Sequence, residues 1–164
     1  LALEMPDVQV QAVDISDGAL DVAATQDFTD EMSRTGAKAP EFIKADVLKG
    51  PDFFVEACGA EKYDIIVSNP PYVMDGEKAL MRSNVLEHEP HLALFVPDDD
   101  PLIFYHAVAQ WASELLVDGG VGMVEINEAL GNETAQVFKD FGFSQVTVLK
   151  DLHDKDRFVK FIRK

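Results

Sequence analysis

Five residues, Ser68-Asn69-Pro70-Pro71-Tyr72, follow directly on the apolar run Tyr63-Asp64-Ile65-Ile66-Val67 and carry the clearest chemical signal in the sequence. Ile65, Ile66 and Val67 read as a short strand buried on both faces. The two prolines fix the backbone and remove two donors, so the chain leaves the strand extended and stiff. One amide side chain and one aromatic ring are thereby held at the carboxyl end of a strand, where open α/β sheets bind ligands. A rigid amide acceptor beside a flat ring suits a planar amine or amide. Asn-Pro is also a common turn pair, and Pro-Pro a common connector. Placement after a buried strand, with Tyr72 following, favours the ligand-binding reading.

Two carboxylates extend the pattern. Val8 to Asp14 reads as a strand that ends in an acid, and so does Glu41 to Asp46. An acid at such a strand end suits two ribose hydroxyls. Asp46 could accept from an adenine amino group, with the Val47 amide as its neighbour. Either aspartate taken alone suits a turn or a helix start equally well. Three successive strands ending in Asp14, Asp46 and Asn69 argue for one ligand cleft along one sheet edge.

The elements that must hold these residues alternate strand and helix, which predicts a mostly parallel sheet with helices on both faces. Ser16 is an N-cap for a helix to about Ser33, which Gly36 can close. Residues 73 to 100 have little periodicity and contain Gly76, Pro90, Pro97 and Asp98-Asp99-Asp100. A loop of that length is often functional, and here it could fold over a substrate. Pro101 suits the first position of a helix to about Leu116, with Trp111 read as packing. Asp118-Gly119-Gly120 reads as a turn into a strand from Val121 to Ile126. A helix spans Asn132 to Phe141. The strands Gln145 to Lys150 and Arg157 to Ile162 are joined so tightly that they must be antiparallel.

Composition narrows the function classes. The 164 residues are 47% hydrophobic, enough for one globular domain with a sizeable core. No apolar stretch approaches the roughly 18 residues a membrane span requires, and no signal pattern is present. The single cysteine, Cys58, excludes an internal disulfide and fits a reducing, cytoplasmic compartment. His88 and His91, around Glu89-Pro90, read as a surface loop, so no metal site is expected. A net charge of -16, from 14 basic and 30 acidic residues, argues against broad binding to a phosphate backbone.

Several segments together resemble the peptide-release-factor glutamine methyltransferases of the HemK/PrmC type. They are Val13-Asp14-Ile15-Ser16, Ala45-Asp46-Val47, Tyr63 to Tyr72, Glu89-Pro90, Leu92-Ala93-Leu94, Gly119-Gly120, Glu125-Ile126 and Asp156-Arg157-Phe158. The Asn-Pro-Pro-Tyr element is specific for amino-group methyltransferases as a class. Glu89-Pro90 and the carboxyl-terminal matches point to glutamine.

The resemblance implies an α/β, Rossmann-like seven-stranded methyltransferase sheet with an antiparallel last strand, and S-adenosyl-L-methionine as cofactor. It implies that Asp14 holds the cofactor ribose, Ile15 flanks the adenine, and Asp46 and Val47 bind the adenine edge. Asn69 and the Pro70 carbonyl would accept from the substrate amide nitrogen, with Asn69 also facing the cofactor. Pro71 and Tyr72 would pack on the amide plane. The implied partner is a release factor with a Gly-Gly-Gln motif; no membrane partner and no direct nucleic-acid partner is expected.

The family's first strand, its glycine-rich loop and its helical substrate-recognition domain would precede Leu1. The expectation is therefore one catalytic domain over residues 1–164, truncated at its amino end, that binds cofactor poorly by itself. Asp98-Asp99-Asp100-Pro101 departs from the family's Asp-Gly pair. Three other readings stay open: methylation of a ribosomal-protein glutamine or of a nucleic-acid base, a non-catalytic interaction domain of the same fold, and a nucleotide-dependent dehydrogenase. The last has no use for Asn69 to Tyr72.

Overall fold

The structure, a computed structural model, describes residues 5, 7–52, 54–55, 62–80 and 91–164. It divides into two compact units, Leu1–Asp46 and Val47–Lys164.

In the first unit, strand β1 (Gln11–Asp14) runs parallel to β2 (Glu41–Lys44), with Asp14 opposite Lys44. Both strands are shorter than their sequence patterns suggest. Helix α1 (Asp17–Ala24) starts where expected: the Ser16 hydroxyl accepts from Ala19 N at 3.2 Å. The single helix expected to Ser33 is instead two, because α2 (Thr29–Thr35) begins anew. The reason is local side-chain bonding. Thr25 Oγ1 donates to the Val22 carbonyl, and Asp27 accepts from both the amide and the hydroxyl of Thr29. Such bonds give the backbone an alternative to continuing the helix. Gly36 closes α2 in the left-handed region, φ 74°, as its sequence position predicts.

The second unit is built on a four-stranded sheet in the order β3-β6-β8-β7. Strand β3 is Tyr63–Ser68, β6 is Leu116–Glu125, β7 is Ser144–Lys150 and β8 is Asp156–Ile162. β3 and β6 are parallel, and β8 runs antiparallel to both β6 and β7. The last strand is therefore antiparallel, as expected. Strand pairing among the described residues forms this sheet and two separate parallel pairs, β1–β2 and Val73–Met74 with Phe95–Val96.

Three local expectations change. The segment read as an aperiodic loop contains β4 (Val73–Met74), a 3-10 helix (Asp75–Leu80), a short helix α3 (His91–Leu94) and β5 (Phe95–Val96) paired with β4. Helix α4 spans Ile103–Leu115, so Pro101 lies in the turn before it. Strand β6 starts earlier than expected, at Leu116, but it still bends at Asp118-Gly119-Gly120: Gly119 has φ 80°, and pairing with β3 jumps from Tyr63–Leu116 to Ile65–Val121. Reciprocal bonds hold that stretch: Gly119 N to the Arg163 carbonyl and Arg163 N to the Gly120 carbonyl. The turn signal is kept as a bulge inside a longer strand.

The core of this unit lies between α4, helix α5 (Gly131–Asp140) and the sheet. Tyr105, Val108, Ala109 and Ala112 supply the α4 stripe, and Phe138 stacks on Phe161 at 4.0 Å beside Phe143. Full burial of each such side chain is worth roughly 1.5–3 kcal/mol. Trp111 is a packing residue, as its position suggests: its indole donates to the Val47 carbonyl at 3.0 Å and its ring lies 5.0 Å from Phe54. On β3 only Ile66 turns toward this core; Ile65 and Val67 are 59% and 63% exposed. The strand is thus covered on one face among the described residues, not on both.

Candidate active site

The residues that follow β3 form a corner with a graded burial. Asn69 is exposed, Pro70 is buried, and Pro71 and Tyr72 are half-buried. Neither proline carries a backbone N–H, so neither leaves a donor unsatisfied where the strand ends. Asn69, Pro70 and Tyr72 line a small cleft of about 70 Å³ together with Val73, Ala93 and Leu94. Two segments twenty residues apart in the sequence reading, the Asn-Pro-Pro-Tyr corner and Leu92-Ala93-Leu94, thus meet at one place. Glu89-Pro90, His88 and Cys58 lie outside the described residues. Among the described residues no cluster of three or more metal-ligating side chains occurs.

Tyr72 is fixed at both ends. Its hydroxyl donates to Glu125 Oε1 at 2.9 Å, at the end of β6. Partial burial and then this bond hold the hydroxyl above the ordinary tyrosine range, so it stays a neutral donor near pH 7. Arg157 Nη1 lies 3.9 Å from the same Glu125 oxygen, and Arg157 Nη2 pairs with Asp151 at 3.2 Å. At the other end of the residue, the Tyr72 carbonyl accepts from Asn127 Nδ2 at 3.1 Å. Asn127 is only 7% exposed. Its amide nitrogen also donates to Glu77 Oε2 at 3.0 Å, and its Oδ1 accepts from Ala129 N at 3.0 Å. Glu77 in turn accepts from Met74 N at 2.9 Å.

Asn127 was not among the residues singled out from the sequence. The signal was available, since β6 is another strand followed closely by a polar residue, like those that end at Asp14, Asp46 and Asn69. What the sequence could not give is the pairing of Asn127 with Tyr72, which spans 55 positions.

The other candidates divide between the units. Asp14, at the end of β1, accepts from Ser16 N at 2.7 Å, which makes it an Asx turn as well as a strand-end acid. Ile15 is 41% exposed beside it. Asp46 follows β2 by two residues, and since β1 and β2 are parallel neighbours the two aspartates stand at the same, carboxyl end of the pair. Val47 opens the second unit, in a short 3-10 turn to Lys49, with its carbonyl taken by Trp111.

Comparison with known proteins shows what the chain is similar to. No family model matches the sequence. A release factor glutamine methyltransferase of Flavobacterium psychrophilum is 39% identical over 160 residues, 98% of this chain and 52% of its own length. The same enzyme of Bacteroides thetaiotaomicron is 42% identical over 153 residues, 93% of this chain and 51% of its own. The chain is thus similar, over nearly its whole length, to release factor glutamine methyltransferases. It spans about half the length of the curated relatives it matches.

Among solved structures, a release-factor-specific protein-(glutamine-N5) methyltransferase from Alicyclobacillus acidocaldarius aligns with a TM-score of 0.51 at 21% identity, over 96% of this chain and 80% of that one. Aeropyrum pernix fibrillarin, solved with natively bound S-adenosyl-L-methionine, aligns with a TM-score of 0.52 at 12% identity, over 93% of this chain and 55% of that one. These likenesses establish the fold as Rossmann-like and of the methyltransferase type. Among the described residues no helix is long and apolar enough to cross a membrane.

Proposed function

We propose that residues 1–164 serve as the catalytic domain of an S-adenosylmethionine-dependent methyltransferase that modifies a glutamine side-chain amide in a peptide chain release factor. The observation that carries the reading is the cleft where Asn69, Pro70 and Tyr72 meet Ala93 and Leu94. It offers acceptors and a flat ring on a corner whose backbone is stiffened by two prolines, which is what a planar amide needs.

The residues present fit the cofactor's ribose and adenine ends. An exposed carboxylate, Asp14, stands at the end of β1, and Asp46 with the Val47 amide follows β2. When bound, the cofactor supplies an electrophilic methyl group on sulfur. The chain's own residues would then orient and stabilise. An amide nitrogen is a weak nucleophile because its lone pair is delocalised into the carbonyl. Asn69 Oδ1 and the Pro70 carbonyl accept its two hydrogens, which points the lone pair away from the amide plane and offsets the positive charge that grows on nitrogen. The new C–N bond would form as the methyl–sulfur bond breaks to leave a neutral thioether, and one N–H proton would then pass to water. Orientation and preorganised dipoles suffice, with no need of a strong general base. Tyr72, neutral and braced by Glu125, packs on the amide face with Pro71.

The net charge of -16 favours a protein acceptor over a nucleic acid. Release factors act in translation, so the reading carries a cytoplasmic location with it. The test is methyl transfer by the natural full-length protein from labelled S-adenosylmethionine to a peptide containing Gly-Gly-Gln. Label should enter the peptide and not its Gln→Ala control; equal labelling of the control, or labelling of DNA in place of peptide, overturns the assignment.

A further inference from the structure

We infer that Asn127 is the positioning residue of the Asn69–Tyr72 corner, acting through the Tyr72 carbonyl and not on substrate directly. The inference rests on the methyl-transfer reading above and adds to it a residue that sets turnover from the far side of the corner.

The hydrogen-bond inventory makes the case. A primary amide has two N–H donors and one carbonyl acceptor. Asn127 spends all three on backbone or side chains around the corner: the Tyr72 carbonyl, the Glu77 carboxylate and Ala129 N. The side chain is 7% exposed, so water is a poor substitute for any of these partners. Pro70 and Pro71 leave the middle of the corner without backbone N–H groups. With two donors missing, the corner depends more on its carbonyls and side chains, and the Tyr72 carbonyl is the one Asn127 grips. Glu77 extends the grip: the same carboxylate oxygen accepts from Met74 N, two residues beyond Tyr72. Asn127 itself is anchored by its position, just past the end of β6 and at the N-cap of a short 3-10 turn, Glu128–Leu130. The strand that ends in Glu125 therefore holds Tyr72 by the hydroxyl through Glu125 and by the carbonyl through Asn127. Two holds on one residue fix both the ring plane and the backbone direction that aims Asn69 and Pro70.

The discriminating variant is Asn127→Asp. It keeps volume and the Ala129 bond but loses the donors, and it sets a carboxylate against the Tyr72 carbonyl and the Glu77 carboxylate. In the natural full-length protein, turnover on the Gly-Gly-Gln peptide should fall about 30-fold, with cofactor Kd unchanged within about threefold. Glu77→Gln, which leaves the Tyr72 bond in place, should keep turnover within about threefold. Adding Glu77→Gln to Asn127→Asp gives the new carboxylate a donor again, so melting temperature should recover while turnover does not. A purely structural role would bring both back together. If Asn127→Asp melts below the assay temperature, Asn127→Ser assayed below its own melting point takes its place with the same expectation. Unchanged turnover in the position-127 variant, or recovery of turnover alongside stability in the double variant, overturns the inference. Failure of the unaltered protein to methylate the peptide overturns the functional reading instead.

Discussion

The candidate residues of the two units are supported in opposite ways. At the end of β1, Asp14 is held by a bond to Ser16, two residues on, and its neighbour Ile15 lies open. At the end of β3, Tyr72 is held by Glu125 and Asn127, 53 and 55 residues on. The first arrangement is a local turn that any chain of that sequence can form. The second exists only when β6 is in register beside β3. Local bonds fix where a carboxylate points at little entropic cost, which is enough for a ribose that brings its own shape. Aligning a poor nucleophile needs more, because an error of about 1 Å at the reacting atom can cost 100-fold in rate. The acceptor corner draws on β6, which is paired on one side with β3 and on the other with β8.

This contrast can be broken at either end. The largest effect is expected from Asn69→Ala, which removes the acceptor proposed to act as charge develops. Turnover should fall 100- to 1000-fold, about 3–4 kcal/mol, with cofactor affinity within a small factor; equal turnover in a methyl-transfer assay would sink the assigned role. Next comes Gly122→Ala in β6. A Cβ there would lie 2.0 Å from the Phe161 ring across the β6–β8 pair, so that ring would have to leave its stack on Phe138. We expect a loss of about 3 kcal/mol in denaturant unfolding, and turnover should fall with it, since β6 carries Glu125.

Asp14→Ala tests the local end. Cofactor Kd should rise 10- to 30-fold, about 1.4–2 kcal/mol, while turnover at saturating cofactor stays within threefold. A loss of turnover with unchanged Kd would reverse the contrast drawn between the two ends. The smallest effect belongs to Tyr72→Phe, which removes one hold on the corner and about 1 kcal/mol. Its pH signature has a definite sign. The folded hydroxyl titrates above its unfolded value, so the stability it contributes is present below about pH 10 and fades as pH rises through the higher folded value. The unaltered protein should lose that increment in alkaline melts, and the phenylalanine variant should not.

Much of this was legible in the sequence where the determinants are close together. Ser16 capped α1, Gly36 closed α2, and the tight link after β7 forced the antiparallel last strand. The cleft was half legible: Asn69 to Tyr72 announced itself, and Leu92-Ala93-Leu94 was noticed without a reason to place it beside them. The misreadings share a cause. The turn at Gly119-Gly120 was legible, but the extension of β6 back across it to Leu116 depends on Arg163, more than forty residues away. Ile65 and Val67 have the composition of a strand buried on both sides, yet pattern alone cannot say which faces find a partner. Asn127 was missed because its partners lie 50 and 55 positions earlier. The α1–α2 break is the exception, a local effect of Thr25 and Asp27 that helical periodicity concealed.

Helix α4 ends at Leu115 and β6 begins at Leu116, with no residue between them. The slack comes just after that joint: between the pairs Tyr63–Leu116 and Ile65–Val121, β6 advances five residues against two on β3, with Gly119 at φ 80°. A residue inserted between Leu116 and Val121 can be taken up in that bulge. One inserted between Val121 and Glu125 has no such outlet, and it would turn Glu125 to the opposite face, away from Tyr72.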